Sequence, residues 1–256
     1  MRSDGIKVTV QSRWAGGDEK AESISSTLGI PISTGERVPS GEFRIIILED
    51  GVELWDEFSR RHGMPMNFRS TDLRTGSGSL SLKQPLARAV GRSARTILDA
   101  TAGFGHDAFL LACLGWNVHA VERNPIIFTL LKESLLSATG DEQISNIMGD
   151  RLQITNQDAV AWMDENNNPT VDVVYLDPMF NTRPSSALPK KPAQILRRLV
   201  GFDTDVQTLF DRAMEHAMDR VVIKRSDRDP PLVDQPSVSY KGKMVRYDVY
   251  MNSGGG

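Results

Sequence analysis

Residues 96–108 read TILDATAGFGHDA, and this stretch decides the fold. Its first four residues are typical of a short buried strand, and residues 106–114 form an apolar segment of helical length. Gly103 and Gly105 lie between the two, where the absence of a Cβ lets the backbone approach a ligand closely. In an open α/β sheet such a loop lies at the carboxyl ends of the strands, where ligands bind. The stretch therefore predicts a strand, a ligand-binding loop and a helix, in that order.

The segments that follow repeat this alternation of strand, loop and helix. The predicted strands are residues 117–122, 151–155, 171–176 and 220–224, and the predicted helices are residues 125–138, 159–164 and 205–218. Residues 171–176 are nearly all apolar, as expected of a central parallel strand that is buried on both faces. This alternation predicts a doubly wound, mostly parallel α/β sheet with right-handed crossovers.

The end of the chain departs from the alternation. Residues 238–241 and 244–250 flank Gly242 and are typical of an antiparallel pair. With the five parallel strands they predict a seven-stranded sheet that is closed by an antiparallel C-terminal hairpin. This is the Rossmann-like arrangement of class I methyltransferases, whereas plain dinucleotide-binding folds end in another crossover. Residues 253–256 are expected to form a disordered tail.

The first 80 residues have a different pattern and predict a small N-terminal α+β region. Its predicted elements are a strand at residues 6–10, a hairpin of residues 43–48 and 52–55, and a connector at residues 74–79. Asp50-Gly51 is a strong signal for the hairpin turn. The larger domain is then residues 81–252, which open with a predicted helix at residues 84–90.

Composition limits the classes of protein that the chain can represent. No stretch approaches the roughly 20 apolar residues that a membrane-spanning helix needs. Cys113 is the single cysteine, so the chain has neither an internal disulfide nor a cysteine-rich metal site. A reducing cytoplasm is the expected location. The net charge of −3 means that any surface for nucleic acid has to be a local patch.

The glycine loop alone does not distinguish between cofactors. Its two glycines, Ala108 and the downstream Glu122 also satisfy the spacing of the dinucleotide fingerprint. Asp99, at the loop entry, favours S-adenosylmethionine, because a carboxylate there attracts the cationic amino-acid end of that cofactor and repels a pyrophosphate. Asp107, at the start of the following helix, adds a second negative charge where a phosphate would bind the helix dipole.

Three further polar residues are placed to bind the rest of the cofactor. Glu122 ends the second predicted strand of the large domain and is suited to accept hydrogen bonds from both ribose hydroxyls. Arg123 is expected near the adenine edge. Asp158 follows the third strand, where it either accepts from the adenine amine or caps the helix that begins at Ala159.

Residues 173–180, VVYLDPMF, place a carboxylate, a proline and an aromatic ring at the end of a buried strand. This is the position and form of the Asn/Asp-Pro-Pro-Tyr/Phe motif of amine methyltransferases. Asp177 and the carbonyl of Pro178 are expected to accept from an exocyclic base amine and to orient it toward the methyl donor. Phe180 offers a face on which a base stacks, an interaction that contributes about 1–3 kcal/mol. The predicted chemistry requires no metal.

Taken together, four stretches resemble the ribosomal small subunit methyltransferase J family. They are residues 99–105 (DATAGFG), 122–125 (ERNP), 174–180 (VYLDPMF) and 186–191 (SALPKK). The similarity continues through residues 199–201, 221–225 and 241–250, so it covers the chain from about residue 80 to the end. That family makes N2-methylguanosine near the 3′ end of bacterial 16S rRNA. The resemblance therefore implies a Rossmann-like, S-adenosylmethionine-dependent rRNA methyltransferase.

The resemblance also implies a set of cofactor contacts. Carried over by position, these are His106, Asp107, Glu122, Arg123, Gln157, Asp158 and Asp177. The chain departs from the family pattern at three places. His106 stands where the family usually has Arg, and Gln157-Asp158 where it has small hydroxyls. Asn181-Thr182 replaces the usual Pro-His after Phe180, in the loop expected to meet the target.

Basic residues around the motif predict an RNA-contacting surface. Arg183, Lys190 and Lys191 follow the motif, and Lys224 and Arg225 follow the fifth strand at the same edge of the sheet. Phosphate contacts by such groups supply affinity and orientation rather than sequence specificity. The N-terminal region is expected to extend this surface.

Three other functions stay open at this stage. The same four-residue motif serves methyltransferases that act on a protein glutamine or on a small amine. A non-enzymatic RNA-binding factor with a vestigial Rossmann-like domain would share the fold, and so would a nicotinamide enzyme. Binding of S-adenosylmethionine distinguishes the last two from a methyltransferase.

Overall fold

The computed structural model describes residues 6–57, 62–69, 71–74, 80–166, 171–179, 191–201, 205–233 and 235–252. The strands are β1 (Lys7–Ser12), β2 (Glu42–Leu48), β3 (Gly51–Asp56), β4 (Met64–Pro65), β5 (Thr96–Asp99), β6 (Asn117–Val121), β7 (Leu152–Thr155), β8 (Val171–Leu176), β9 (Ala217–Ser226), β10 (Val238–Lys241) and β11 (Val245–Met251). The helices are α1 (Asp18–Leu28), α2 (Pro85–Val90), α3 (His106–Cys113), α4 (Pro125–Thr139), α5 (Glu142–Met148), α6 (Ala159–Glu165), α7 (Lys191–Val200) and α8 (Val206–His216).

The large sheet has seven strands in the order β10-β11-β9-β8-β5-β6-β7. The strands from β9 to β7 in this order are parallel to one another. β11 runs antiparallel to both of its neighbours. The predicted fold, a mostly parallel seven-stranded sheet with an antiparallel C-terminal hairpin, is confirmed.

Local sequence signals explain most of the element boundaries. The side chain of Asn124 accepts from the backbone amides of Ile126 and Ile127, and Pro125 occupies the first turn, so α4 begins where predicted. The predicted end of the last helix at residue 218 is wrong. α8 ends at His216, because the backbone is already extended at Ala217, which begins β9.

Three helices of the structure, α1, α5 and α7, were not predicted from the sequence. α1 buries only Ala21 and Ile24, so its apolar periodicity is weak. α5 is a short helix of 7 residues, capped by the side chain of Asp141. α7 lies in a stretch that the sequence presents as a basic run, yet it buries Ile195 and Leu199, four residues apart on one face.

The N-terminal region forms a second, four-stranded sheet in the order β1-β2-β3-β4. β2 and β3 are the predicted hairpin, and β1 pairs with β2 in parallel after the crossover through α1. Apolar residues of this sheet form one core cluster with residues of α4 and α7, among them Ile127 and Ile195. Phe104, from the glycine loop, belongs to the same cluster. The N-terminal sheet is therefore packed against α4, α7 and the glycine loop itself.

Within the described ranges, no helix is long and apolar enough to cross a membrane. The tail at residues 253–256 and all but the first residue of the connector at residues 74–79 lie outside the described residues.

Candidate active site

Three neighbouring strands bring charged side chains to one edge of the large sheet. β5 ends at Asp99, β8 is followed directly by Asp177, and Lys224 lies near the end of β9. Asp107 joins them from the first turn of α3. Because β8 lies between β5 and β9, residues that are far apart in sequence meet at the carboxyl ends of these strands.

Lys224 bridges two of the three acids. Its Nζ lies 2.7 Å from Oδ2 of Asp107 and 2.9 Å from Oδ2 of Asp177. Burial alone would lower the pKa of the Lys224 ammonium, but the charges of Asp107 and Asp177 raise it well above its usual value. Nζ thus binds two carboxylates inside the site, and the predicted contact of Lys224 with RNA phosphates stays a prediction.

Asp107 is held by two donors. The Tyr175 hydroxyl donates to its Oδ2 over 2.6 Å, beside the ammonium of Lys224. Burial opposes ionisation, but the charge of Lys224 and the two hydrogen bonds outweigh it and hold the pKa of Asp107 below its usual value. Asp107 is therefore a fixed anion at the start of α3.

Two buried tyrosines flank the ion pairs. Tyr175 lies on β8, and Tyr247 lies on β11 directly opposite Lys224 in the strand register. Burial, together with the negative charge of Asp107, raises the pKa of both phenols, so both remain protonated. Tyr175 in turn donates its proton to Asp107 in a hydrogen bond.

Asp99 is enclosed beneath the loop, with 1% of its surface exposed. Its Oδ1 accepts from the amide of Thr101 over 3.1 Å. Burial, and then the charges of Asp107 and Asp177, raise the pKa of Asp99 well above its usual value. The carboxyl group faces the loop backbone in this structure, and its attraction for the cationic end of the cofactor stays a prediction.

The glycine loop has the geometry that only glycine tolerates. Gly103 and Gly105 have φ angles of +54° and +77°, in the left-handed region. A Cβ on Gly105 would lie 2.2 Å from Cδ1 of Leu131 and 3.5 Å from the ring of Phe68. Close packing of the loop against α4 and the N-terminal region thus explains the requirement for glycine at this position.

Glu122 fastens the glycine loop to the start of α4. One carboxylate oxygen accepts from the amide of Gly103 over 2.9 Å, and the other accepts from the amide of Asn124 over 2.7 Å. The side chain is 8% exposed. Each oxygen retains acceptor capacity beyond one amide, so its binding to ribose hydroxyls stays a prediction.

Asp177 and Pro178 lie at the mouth of the cluster. The amide of Asp177 donates to Oγ1 of Thr101 over 2.6 Å, which ties the end of β8 to the loop after β5. The side chain of Asp177 is 40% exposed, whereas Pro178 is buried. Phe180, the third residue assigned to catalysis, lies outside the described residues.

The residues predicted at the adenine end are engaged with one another. Oδ1 of Asp158 accepts from the amides of Val160 and Ala161, so this residue does cap α6. Arg123 forms an ion pair with Asp205 at 3.0 Å, and its guanidinium lies 3.9 Å from Asp158.

Two further residues implied by the resemblance lie beside the loop. The backbone amide of Gln157 donates to the backbone carbonyl oxygen of Glu122 over 3.2 Å. His106 is exposed at the first position of α3, with its ring edge-on to Phe68 at 5.7 Å. Phe68 also stacks on Phe109 of α3, with 4.1 Å between the ring centroids, so a side chain from the N-terminal region packs beside the glycine loop.

The predicted RNA contact of Arg225 stays a prediction, since its side chain is engaged inside the protein in this structure. Its guanidinium is buried and donates to the carbonyl oxygen of Pro230 over 2.8 and 3.1 Å. The residue therefore fastens the loop after β9 instead of facing solvent. Arg183 and Lys190 lie outside the described residues, as does the side chain of Lys191, so their contact with RNA stays a prediction.

Sequence reasoning missed the supporting groups of the site. Thr101, Tyr175 and Tyr247 stand in a small-residue loop and in apolar strands, where they resemble ordinary core or turn residues. One signal was available: Tyr175 and Asp177 are two residues apart, a spacing that directs side chains to the same face of a strand.

The residues at this edge fit S-adenosylmethionine, whose sulfonium and amino groups carry positive charge. Asp107 and Asp177 provide two carboxylates against the one ammonium of Lys224, so the cluster retains negative charge. Gly103 and Gly105 bring the backbone close to the same space, and Glu122 lies at the adjacent strand end. The site has the arrangement expected of a cation-binding cofactor pocket.

Comparison with known proteins supports this assignment. A solved structure of a SAM-dependent methyltransferase from Neisseria gonorrhoeae is 26% identical, with a TM-score of 0.68 that covers 96% of this chain and 97% of that one. The model of the SAM-dependent methyltransferase family SAM_MT matches residues 35–252. The fold and the site thus define a Rossmann-like SAM-dependent methyltransferase that uses S-adenosylmethionine as its cofactor.

Relatives with assigned names show which methyltransferase family the chain belongs to. The ribosomal RNA small subunit methyltransferase J of Saccharophagus degradans is 36% identical over 98% of this chain and 97% of its own length. The protein of the same name from Marinobacter nauticus is 43% identical over 172 residues, a match that covers 65% of this chain and 62% of that relative. The chain belongs to the ribosomal RNA small subunit methyltransferase J family.

Proposed function

We propose that this enzyme transfers a methyl group from S-adenosylmethionine to the exocyclic N2 amine of a guanosine near the 3′ end of 16S rRNA. The names of its relatives support rRNA of the small subunit as the substrate. The guanine N2 position is supported by the resemblance of residues 174–180 to that family. A cytoplasmic location is part of the proposal and is supported by the single, buried cysteine.

One observation carries the proposal: the exposed carboxylate of Asp177 stands at the edge of the glycine loop, held by two contacts. Lys224 binds its Oδ2, and Thr101 accepts from its backbone amide. We assign Oδ1 of Asp177 and the carbonyl oxygen of Pro178 to the N–H groups of the target amine. A base amine is a weak nucleophile because its lone pair is delocalised into the ring, so a fixed pair of acceptors contributes by orienting it.

The bound cofactor supplies an electrophilic methyl group on a sulfonium centre. The chain itself has three tasks in this proposal. Asp107 attracts the cationic part of the cofactor, and Glu122 binds its ribose. Asp177 orients the amine and stabilises the positive charge that develops on nitrogen. Phe180 stacks on the base that is extruded into the site.

The test is tritiated methyl transfer to small ribosomal subunits that lack the modification, followed by mapping of the labelled nucleotide by mass spectrometry. We expect label on one guanosine of the RNA. Asp177→Asn and Asp177→Ala should reduce turnover on the order of 10²–10³-fold, the loss typical of removing one preorganised electrostatic group. Thermal unfolding of both variants should stay close to that of the wild type.

Asp211→Asn is the matched control, because Asp211 is an exposed carboxylate on α8 that accepts from Gln207 on the same helix. Its turnover should equal that of the wild type. Label found on a ribosomal protein would replace the RNA substrate with a protein amide. Near-normal turnover of the Asp177 variants would remove that residue from the catalytic role.

A further inference from the structure

A basic surface covers α2 and the neighbouring β10–β11 turn. Its exposed cations are Lys83, Arg88, Arg92, Arg95, Lys241 and Lys243, which we call the α2 basic surface. The sequence contains no acidic residue from position 73 to 98 or from position 235 to 247. Two acid-free segments thus meet on one face of a protein whose net charge is −3.

The two segments are packed together. Pro85, at the start of α2, lies 3.8 Å from where a Cβ on Gly242 would stand, in the β10–β11 turn. Arg88 extends over the ring of Tyr240, with 4.7 Å between its guanidinium carbon and the ring centroid. A shallow groove of about 440 Å³ runs between them and is lined by Lys83, Arg88, Arg92 and Tyr240, among others.

Most of these cations are not neutralised within the protein. Among the described residues, Lys83, Arg88, Arg92 and Lys243 have no acidic side chain within 4.0 Å. Lys241 makes only a loose pair with Asp227, at 3.5 Å. The surface therefore presents several positive charges to solvent in a small area, which favours a polyanionic partner.

The surface begins beside the candidate active site. In the strand register, Tyr240 of β10, on which Arg88 packs, lies opposite Tyr247 of β11, which lies opposite Lys224 of β9, so the three side chains share one face of the sheet. Strands are spaced about 4.8 Å apart, so two steps across the sheet separate Tyr240 from Lys224 by about 10 Å. From this edge the cations continue along α2 to Arg92 and Arg95, at the opposite edge of the sheet.

We propose that the α2 basic surface binds the phosphate backbone of the RNA strand whose base occupies the active site. This inference rests on the proposed function. Guanidinium groups bind phosphates in bidentate geometry, and three of the six cations are arginines. Continuity with the active-site edge favours RNA over an anionic membrane, which would have no reason to meet that edge.

The test compares two triple variants of the full-length enzyme. Lys83→Gln/Arg92→Gln/Lys243→Gln removes three charges from the surface and spares Arg88, which packs on Tyr240. The control, Lys7→Gln/Arg37→Gln/Lys132→Gln, removes the same residue types from exposed positions on β1, the loop before β2 and α4. Binding to a transcript of the 3′ region of 16S rRNA is measured at several salt concentrations, with S-adenosylmethionine affinity measured by calorimetry.

The surface variant should bind the transcript at least about tenfold more weakly near 100 mM salt than the wild type does. Its plot of log affinity against log salt should be shallower by about 2, since each lost phosphate contact removes about 0.7–0.9 from the slope. The control variant should match the wild type in both quantities. S-adenosylmethionine affinity should be unchanged in both variants.

Equal RNA affinity and equal salt slope for the two triple variants would overturn the inference. Loss of binding to phosphatidylglycerol vesicles with unchanged RNA affinity would also overturn it, in favour of a membrane surface. Failure of the wild type itself to bind or methylate the rRNA would instead reject the proposed function. The two failures are thus distinguishable in one set of measurements.

Discussion

Lys224→Met is the substitution that most directly tests the electrostatic structure of the site. Methionine keeps the length of the side chain but removes the ammonium that lies 2.7 Å from Asp107 and 2.9 Å from Asp177. Removing one partner of a buried ion pair costs about 3–5 kcal/mol of the free energy of unfolding. Because the Lys224 side chain is 23% exposed, we expect the lower end, about 3 kcal/mol. For a chain of this size that lowers Tm by about 6–12 °C.

The pH dependence gives the sign of the effect. Burial raises the pKa of Asp107, but the charge and the hydrogen bond of Lys224 lower it further, so it lies below its usual value in the folded protein. Its ionic stabilisation is therefore complete above the pKa of the unfolded chain and is lost as pH falls through the lower, folded value. Lys224 has the opposite sign: its raised pKa contributes stability that is lost only as pH rises through that value.

Without the ammonium, Asp107 and Asp177 repel each other and lie above the enclosed Asp99. One carboxyl group then holds a proton at a pH where both are ionised in the wild type. The acidic limb of the pH profile of kcat should move to higher pH by about 1–3 units. This is the amount by which a nearby cation lowers the pKa of a carboxyl group, and Lys224→Met removes that cation. At neutral pH, kcat should fall on the order of 10²-fold, because Asp177 loses a contact that positions it.

The assay is methyl transfer to unmodified small subunits between about pH 5 and 9, with thermal unfolding in parallel. Raising the pH should recover part of the activity of Lys224→Met. Lys224→Arg should keep the wild-type profile, because its charge and paired donors still serve both acids. Arg212→Met, which breaks exposed ion pairs on α8, should lose less than about 1 kcal/mol. A loss of activity in Lys224→Met that is the same at every pH would refute the reasoning and leave Lys224 a purely structural residue.

Two smaller substitutions test the loop and the cap. Gly105→Ala should lower the free energy of unfolding by about 2–3 kcal/mol in denaturant titrations, because left-handed strain adds to the clash with Leu131. Gly29→Ala has a similar φ of +63° and no neighbour within 4 Å, so it should lose only about 1 kcal/mol; equal losses would remove the clash from the explanation. Asp158→Ala should lose about 1 kcal/mol, whereas Asp158→Asn keeps the cap. A change of S-adenosylmethionine affinity in Asp158→Asn, measured by calorimetry, would show a cofactor role beyond the cap, and wild-type affinity would show that capping is its whole role.

The sequence predicts the alternation of strands and helices and the ligand edge because those follow from local chemistry. Apolar runs such as residues 171–176 define central strands, and Asn124-Pro125 defines the start of α4. α1 could not be predicted in the same way, because it buries only Ala21 and Ile24 against a surface that is far away in sequence. α7 does have an amphipathic pattern, with Ile195 and Leu199 on its buried face, but its segment was interpreted as a basic surface run.

The sequence indicates which site residues lie at the same edge of the sheet but not the contacts that their side chains make. Asp107 and Asp177 do meet at one edge, since both follow from the order of strands. The sequence did not reveal the enclosed environments of Lys224 and Arg225, because a basic residue at a strand end is typical of a surface group. Whether it meets solvent, a carboxylate or a backbone carbonyl depends on the strand next to it and on the loop that follows.

The N-terminal region bears on the site through packing as well as through any contact with RNA. Phe104, in the glycine loop, lies in the core cluster of the N-terminal sheet, and so does Ile195 of α7, which follows the Asp177-Pro178 motif in the sequence. Arg198 of α7 also pairs with Glu57, just after β3, at 3.1 Å. Both segments that border the site are therefore anchored in the same small core. A change in that core would displace the glycine loop and α7 together, so the boundary at residue 80 marks a change in sequence pattern within one packed structure.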